Sequence, residues 1–172
     1  MPELILVTGG VRSGKSRYAV EIASRASSRV TFIATASPCD EEMTKRIKLH
    51  QSSRPSHWET VEERKDVASV LSKINSPHRT VIIDCLTMLI SNLLLEGEEE
   101  KSILKQVQAI AENGKKFNRL TVVVTNEVGW GVVPQTSLGR NFRDIAGLAN
   151  QIMAKKADQV WLIICGIPWR LK

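Results

Sequence analysis

The segment Gly9-Gly-Val-Arg-Ser-Gly-Lys-Ser16 directly follows a short apolar run, Leu4–Thr8, and precedes a stretch with helical spacing. A GxxxxGK(S/T) turn between a strand and a helix directs backbone N–H groups and the helix N-terminus at phosphate oxygens. In such a turn the lysine reaches the β- and γ-phosphates, and the last hydroxyl ligates Mg²⁺. The sequence therefore predicts a triphosphate-binding loop. Its expected ligand contacts are Gly9, Gly10, Val11, Arg12, Ser13, Gly14, Lys15 and Ser16.

The rest of the chain alternates between apolar, β-branched runs and segments with helical spacing. Further strands are expected at 29–35, 80–84, 120–125 and 160–164, the last being the final core strand. Helices are expected at 14–26, 40–50, 66–74, 86–95, 103–117 and 138–157. Continuous apolar strands are typical of a parallel sheet covered on both faces. We therefore expect a single domain over residues 1–172, a three-layer α/β structure with a mostly parallel central sheet.

Composition and net charge limit the classes of molecule that this chain is expected to bind. The chain of 172 residues is 42% hydrophobic and 24% charged, which is ordinary for a globular domain. No run reaches the roughly 18 apolar residues of a membrane span, and the start lacks a secretion signal, so we expect a cytoplasmic protein. The net charge of +6 favours anionic partners. Because Lys and Arg are spread along the chain and aromatic residues are only 5%, we expect phosphorylated metabolites and no nucleic acid.

The three cysteines, Cys39, Cys85 and Cys165, are far apart and form no CxxC pair. This spacing indicates neither a zinc site nor a redox dithiol. Cys85 and Cys165 stand in apolar runs, so we expect both to be small core residues.

Asp84 ends the apolar run 80–84, where a carboxylate of the magnesium shell is expected. The alternative is a carboxylate that only caps the following helix. No NKxD-type guanine-recognition motif is present, which argues against an ordinary GTPase switch.

His50 follows Met43 and Ile47 on one predicted helical face, where a histidine is ordinarily a packed side chain. A neutral imidazole can also attack the α-phosphate of a nucleotide and form a phosphoramidate. Arg46 and Arg54 could neutralise charge that develops on the phosphoryl oxygens. The pattern alone leaves both interpretations open.

Several longer segments together resemble one known family over nearly the full chain. They include Arg46-Ile-x-x-His50-x-x-x-Arg54-Pro, Asp84-Cys-Leu-Thr87 and Asn126-Glu-Val-Gly-x-Gly131. With the phosphate-binding loop, they resemble the bifunctional adenosylcobinamide kinase/adenosylcobinamide-phosphate guanylyltransferase family of cobalamin assembly. Some members have a second histidine directly before the nucleophile, where this chain has Leu49.

The resemblance implies a RecA-like P-loop NTPase fold, a homotrimer, and catalysis by Lys15 and His50. The residue matching His50 carries a covalent guanylate in that family. ATP or GTP would phosphorylate the hydroxyl of the corrinoid substrate adenosylcobinamide, and GMP would then pass from GTP to the phosphate. Ser16 and Asp84 would hold Mg²⁺. The resemblance places around GTP the residues Ala34, Thr35, Ala36, Gln51, Ser52, Ser53, Arg54, Glu62 and Asp84.

Three alternatives remain at this point. The chain could be a P-loop kinase of another small alcohol, which would form no covalent nucleotide. It could be a nucleotide-binding switch without metabolic chemistry. A DNA-linked ATPase would show DNA-stimulated hydrolysis with a steep salt dependence.

Overall fold

A computed structural model describes residues 2–36, 38, 41–52, 54–74 and 76–172. The strands are β1 (Glu3–Gly9), β2 (Val30–Ala34), β3 (Glu59–Glu62), β4 (Ser76–Asp84), β5 (Asn118–Val124), β6 (Gln159–Ile164) and β7 (Ile167–Arg170). The helices are α1 (Lys15–Ala26), α2 (Glu41–Ser52), α3 (Val67–Ile74), α4 (Leu86–Leu95), α5 (Glu100–Phe117) and α6 (Ser137–Lys156).

The strands of the described residues form one seven-stranded sheet in the order β3-β2-β4-β5-β1-β6-β7. Neighbouring strands are parallel except for the antiparallel pair β6 and β7. The expected mostly parallel sheet is therefore confirmed. Parallel neighbours require crossover connections, and the helices between the strands supply them.

The sheet separates two hydrophobic clusters, because successive strand side chains point to opposite faces. Leu4 and Leu6 of β1 face α3, α4, α5 and α6. Ile5 and Val7 face α1 on the other side. Both clusters consist of almost fully buried aliphatic side chains, so the strands read as continuous apolar runs. The arrangement is the three-layer α/β structure expected from the sequence.

The C-terminal hairpin was not expected from the sequence. Cys165 and Gly166 connect β6 to β7 with positive φ angles of 52° and 81°. A two-residue connection with both φ angles positive suits the twist of an antiparallel hairpin. The expectation that Cys165 is a core residue is wrong, because the turn leaves it exposed, whereas Cys85 is buried as expected. Cys39 lies outside the described residues.

The parallel strands bring four chain positions to one edge of the sheet. Gly9, Ala34, Asp84 and Val124 end β1, β2, β4 and β5, and all four strands run in the same direction. In open α/β sheets ligands bind outside the carboxyl ends of the strands. This edge therefore positions the candidate site.

Candidate active site

The loop at residues 9–16 needs glycine at two points. Gly9 has a φ of 148°, and a Cβ at this position would lie 2.4 Å from the carbonyl oxygen of Ile163. Gly14 has a φ of 100° and is the N-cap of α1. The backbone N–H of Gly166, in the hairpin turn, donates to the carbonyl of Ser13 at 2.9 Å. Local glycine geometry and a long-range contact therefore fix the same loop.

Lys15 is the first residue of α1 and is only 7% exposed. Its Nζ donates to the carbonyl oxygen of Gly10 at 2.5 Å, across the loop. Burial lowers the pKa of Lys15 from its ordinary value, and the nearby Cys85 and Asp84 oppose that shift. An ammonium in such a low-dielectric position attracts an anion strongly, because water screens the interaction little. The Gly10 carbonyl thus accepts a hydrogen bond from Lys15 that a phosphate oxygen of a bound ligand can accept instead.

Asp84 ends β4 beside the loop and is half-buried. It lies in register with Ala34 of β2 and Val124 of β5. The following residue, Cys85, is joined to it by a cis peptide and is buried. Burial and the charge of Asp84 raise the pKa of the Cys85 thiol to about 11, so this sulfur is protonated and unreactive at neutral pH.

Thr35 connects the ends of β2 and β4. Its backbone N–H donates to the carbonyl of Asp84 at 3.1 Å. Its hydroxyl accepts from the N–H of Cys85 and donates to the carbonyl of Cys85, both at 2.8 Å. The amide of Asn92 donates to the carbonyl of Thr35 at 2.8 Å. Thr35 therefore fixes the strand ends on which Ala34 and Asp84 stand, with its own hydroxyl engaged by the backbone.

Arg54 brings a second cation to the same edge. Its guanidinium carbon lies 3.4 Å from the centroid of the Phe32 ring. Burial lowers the pKa of Arg54, while Asp84 and Glu62 oppose the shift. Its Nη1 is buried and has no hydrogen-bond partner among the described residues. A buried guanidinium N–H without an acceptor is costly, so this geometry favours an anionic ligand.

The other predicted residues that the structure describes lie at the ends of β2, β3 and α2. Ala34 pairs with Glu62 across β2 and β3, and Glu62 is exposed. Gln51 and Ser52 are exposed at the end of α2, and the carbonyl of Gln51 accepts from the N–H of Arg54 at 3.3 Å. Ala36 is half-buried just after β2.

Helix α2 also contains His50, but the His50 side chain and the whole of Ser53 lie outside the described part of the structure. None of the α2 side chains that are described is buried. The helix therefore lies at the periphery of the molecule.

Two groups of predicted residues are thus distinguished. The phosphate loop and Asp84 form the first, and the strand ends around Arg54, with the end of α2, form the second. Asp84 acts electrostatically on both Lys15 and Arg54, which joins the two groups. Among the described residues no cluster of three His, Cys, Asp or Glu side chains could hold a metal ion. No helix described here has the length and apolar character needed to cross a bilayer.

Sequence reasoning assigned no role to a polar network beside the loop. The hydroxyl of Thr8 donates to Glu127 Oε1 at 2.8 Å, and the amide of Asn150 donates to the same oxygen at 3.1 Å. Asn126 donates to the hydroxyl of Thr87 at 2.8 Å. The available signal was the pair Asn126-Glu127, two polar residues directly after a buried strand at the edge that Asp84 occupies.

Comparisons with known proteins agree in family and in fold. A family model described as cobinamide kinase / cobinamide phosphate guanyltransferase matches residues 5–171. The chain is 40% identical to the bifunctional adenosylcobalamin biosynthesis protein CobU of Escherichia coli (strain K12), over 98% of this chain and 99% of that protein. It is 37% identical to the bifunctional adenosylcobalamin biosynthesis protein CobP of Pseudomonas aeruginosa, over 97% of this chain and 96% of that one.

Solved structures of low sequence identity share the fold. An ATPase from a bacterial type III secretion system superposes with a TM-score of 0.61 at 11% identity, over 94% of this chain and 51% of that chain. The chain thus spans about half the length of that ATPase. A KaiC-like protein from Pyrococcus horikoshii OT3 gives a TM-score of 0.54 at 16% identity, over 94% of this chain and 70% of that chain. These likenesses confirm the P-loop NTPase fold that the resemblance implied.

Proposed function

Because this chain belongs to the cobinamide kinase / cobinamide phosphate guanyltransferase family, we propose a residue-level division of labour for two reactions. In the first, the terminal hydroxyl of adenosylcobinamide takes the γ-phosphoryl group of ATP or GTP. In the second, a histidine takes GMP from GTP, releases pyrophosphate, and passes GMP to adenosylcobinamide phosphate to give adenosylcobinamide-GDP. The observation that carries the proposal is the buried Lys15 in a glycine turn at the sheet edge where Asp84 and Arg54 also lie.

The phosphate loop holds the triphosphate in this proposal. The backbone N–H groups of residues 9–16 and the N-terminus of α1 bind phosphate oxygens. Lys15 exchanges its bond to the Gly10 carbonyl for one to the β- and γ-phosphates. Since these donors are fixed before the ligand arrives, charge that develops on the transferring phosphoryl group is stabilised without reorganisation.

Ser16 and Asp84 are the residues that would hold Mg²⁺ in this proposal. Both side chains are half-buried, and both offer oxygen, the ligand type that Mg²⁺ prefers. Two oxygen ligands from the protein are enough for a magnesium site, because this ion usually keeps several waters and also binds substrate phosphates. When bound, the ion neutralises charge on the phosphate oxygens.

The guanylyl-transfer residues are proposed to surround Arg54. Its buried Nη1 lacks an acceptor among the described residues, and a phosphate oxygen supplies one. One side of the proposed GTP site consists of residues at the ends of β2 and β3, namely Ala34, Thr35, Ala36 and Glu62. Gln51 and Ser52 contribute to the GTP site from the end of α2, and Ser53, which lies outside the described residues, is assigned to it by the resemblance.

His50 is the proposed guanylyl carrier. Its ring nitrogen attacks the α-phosphorus of GTP, the bond to the β-phosphate oxygen breaks, and pyrophosphate leaves with that electron pair. A phosphate oxygen of adenosylcobinamide phosphate then attacks the same phosphorus and releases the imidazole. The support is placement, because His50 directly precedes Gln51 on the helix that leads to Arg54.

The proposal is tested by incubating the protein with GTP labelled at the α-phosphate. We expect an acid-labile, alkali-stable label on the wild type and none on His50→Ala. His57→Ala is the matched control, since His57 is exposed in the turn after α2 and should leave labelling unchanged. Equal labelling of the wild type and His50→Ala would eliminate the His50 route, and absence of label from both proteins would leave a single-activity kinase.

The proposal also includes a single domain over residues 1–172, supported by the family match across 5–171. The homotrimer, which the resemblance implies, and the cytoplasmic location, which the composition favours, stay predictions. Sedimentation at several protein concentrations would test the trimer.

A further inference from the structure

Glu127 lies beside the start of the phosphate loop. It stands three residues after the end of β5, and its N–H donates to the carbonyl of Gly9 at 3.1 Å. Both hydrogen bonds to the carboxylate, from Thr8 and Asn150, are accepted by Oε1. Oε2 has no hydrogen-bond partner among the residues that the structure describes, although the side chain is half-buried. One oxygen is therefore held and the other is available to a ligand.

The groups that hold Oε1 are themselves fixed. Thr8 is buried in β1, one residue before the phosphate loop. Asn150 is buried on α6, where its Oδ1 accepts from the hydroxyl of Thr125 at 2.8 Å. The Asn150 amide also donates to the carbonyl of Asn126 at 3.2 Å. The carboxylate is thus set by strand and helix residues, the kind of support that keeps a reactive group in place.

Asp84 and Glu127 occupy different positions at this edge. Asp84 ends β4 and acts electrostatically on Lys15 and Arg54. Glu127 accepts a hydrogen bond from the Thr8 hydroxyl and donates one from its N–H to the carbonyl of Gly9, on the side where the loop begins. A carboxylate after β5 that is hydrogen-bonded beside the start of the loop is suited to accept the proton of the nucleophile, because Ser16 and Asp84 are the residues proposed to hold the metal ion.

We propose that Glu127 is the general base of the phosphorylation reaction, an inference that rests on the function proposed above. Oε2 accepts the proton of the acceptor hydroxyl while the alcohol oxygen forms its bond to the γ-phosphorus. The bond from the γ-phosphorus to the bridging oxygen breaks, and its electron pair leaves on the nucleoside diphosphate. The protonated carboxyl then releases its proton to water.

The guanylyl transfer does not need this base. Its acceptor is a phosphate monoester, which is ionised near neutral pH and carries no proton that must be removed from an alcohol. The proposal therefore predicts a selective defect: loss of Glu127 basicity impairs phosphorylation and spares transfer of GMP.

The test is Glu127→Gln, which keeps an oxygen to accept from Thr8 and Asn150 but removes the basic carboxylate. We expect kcat for adenosylcobinamide phosphorylation to fall by about 100-fold or more, with KM for the nucleotide unchanged. Labelling by GTP, and GMP transfer to adenosylcobinamide phosphate supplied directly, should match the wild type.

Glu127→Asp provides a second variant that retains a carboxylate and should recover part of the rate. Phosphorylation by Glu127→Gln within threefold of the wild type would overturn the proposal. So would an equal fall in both reactions with a lower melting temperature, which indicates a structural role, or recovery at high Mg²⁺, which indicates metal binding. Failure of the wild type to phosphorylate adenosylcobinamide would instead contradict the function itself.

Discussion

Two regions of the carboxyl edge differ in how their residues are held. In the phosphate-loop region, residues 9–16 with Asp84 and Glu127, positions are fixed by a buried lysine and by hydrogen bonds among strand ends. In the α2–β3 region, residues 41–52 and 54–62, Trp58 is the one buried side chain among those described. The first region is preorganised by the core, whereas in the second none of the described α2 side chains is buried and Arg54 packs against Phe32.

The difference matches the chemistry proposed for each region. Phosphoryl transfer is accelerated most by hydrogen-bond donors that are already in position. Negative charge develops on the phosphoryl oxygens in the transition state, and fixed donors stabilise that charge without first having to move. A covalent carrier must instead meet two partners in turn, GTP and then the phosphorylated corrinoid. A peripheral helix is accessible to both, and none of the described side chains of α2 is buried.

Lys15→Ala is expected to have the largest effect and to test how far the two regions are independent. Removing the loop ammonium should lower kcat for phosphorylation by roughly 100- to 1,000-fold, since one fixed donor to the transferring group is lost. Because Asp84 acts on both Lys15 and Arg54, we expect one shared triphosphate position and a strong loss of GTP labelling as well. Both reactions would be measured on the same preparation.

Lys101→Ala is the matched control, because Lys101 is exposed on α5. Near-normal phosphorylation by Lys15→Ala would place the kinase chemistry elsewhere. Full labelling with lost phosphorylation would show that the two reactions use separate triphosphate positions and would sharpen the contrast between the regions.

The sequence was sufficient where the signal is local. The loop at residues 9–16 was predicted from the spacing of its glycines, lysine and serine, and Gly9 and Gly14 have positive φ angles there. The adjoining strand and helix follow from periodicity. Asp84 was placed by the same reasoning, since it directly ends a buried run. Each of these inferences uses neighbours in the chain, and the structure locates these residues together at one edge of the sheet.

Long-range features were harder to predict. The turn before β7 has positive φ at Cys165 and Gly166, but Cys-Gly lacks the asparagine or aspartate that ordinarily marks such a turn. The support of Glu127 comes from Thr8 and Asn150, 119 and 23 residues away, so no local pattern reveals it. Arg54 was predicted to neutralise phosphoryl charge and to line the GTP site, but its contact with Phe32 depends on tertiary packing.

Arg54→Ala is expected to have an intermediate effect, confined mainly to the α2–β3 region. A charge-assisted hydrogen bond is worth about 1.5–3 kcal/mol, which corresponds to roughly 10- to 100-fold in affinity. The GTP concentration for half-maximal labelling should rise by that factor. The KM for ATP in the phosphorylation reaction should rise less. Lys48→Ala, on the exposed part of α2, serves as the control. Equal effects on both nucleotides would remove the proposed distinction between the regions.

Asp158→Asn is expected to have the smallest effect, because Asp158 lies at the opposite edge of the sheet. Its carboxylate accepts from Lys115 at 2.6 Å and from the N–H of Leu4 at 2.9 Å. Burial acts to raise the pKa of Asp158, but these hydrogen bonds and the charges of Lys115 and Lys172 outweigh it and lower the pKa below its ordinary value. The ionised form therefore stabilises the folded state above the ordinary pKa of about 4, and this contribution is lost as pH falls through the lower, folded-state pKa.

Since both side chains of the Lys115–Asp158 pair are 38% exposed, solvent screening limits the free-energy difference between wild type and Asp158→Asn to below about 1 kcal/mol at pH 7. Urea unfolding at pH 7, 5 and 3 should show this difference shrinking toward zero, and both reactions should proceed at the wild-type rate at pH 7. Asp144→Asn is the control, because the Asp144 side chain is 69% exposed and its Oδ1 lies 4.0 Å from Nε of Arg143. A difference that grows as pH falls would contradict the sign of the pKa shift. A loss of either activity would show that the edge far from the phosphate loop is coupled to the chemistry.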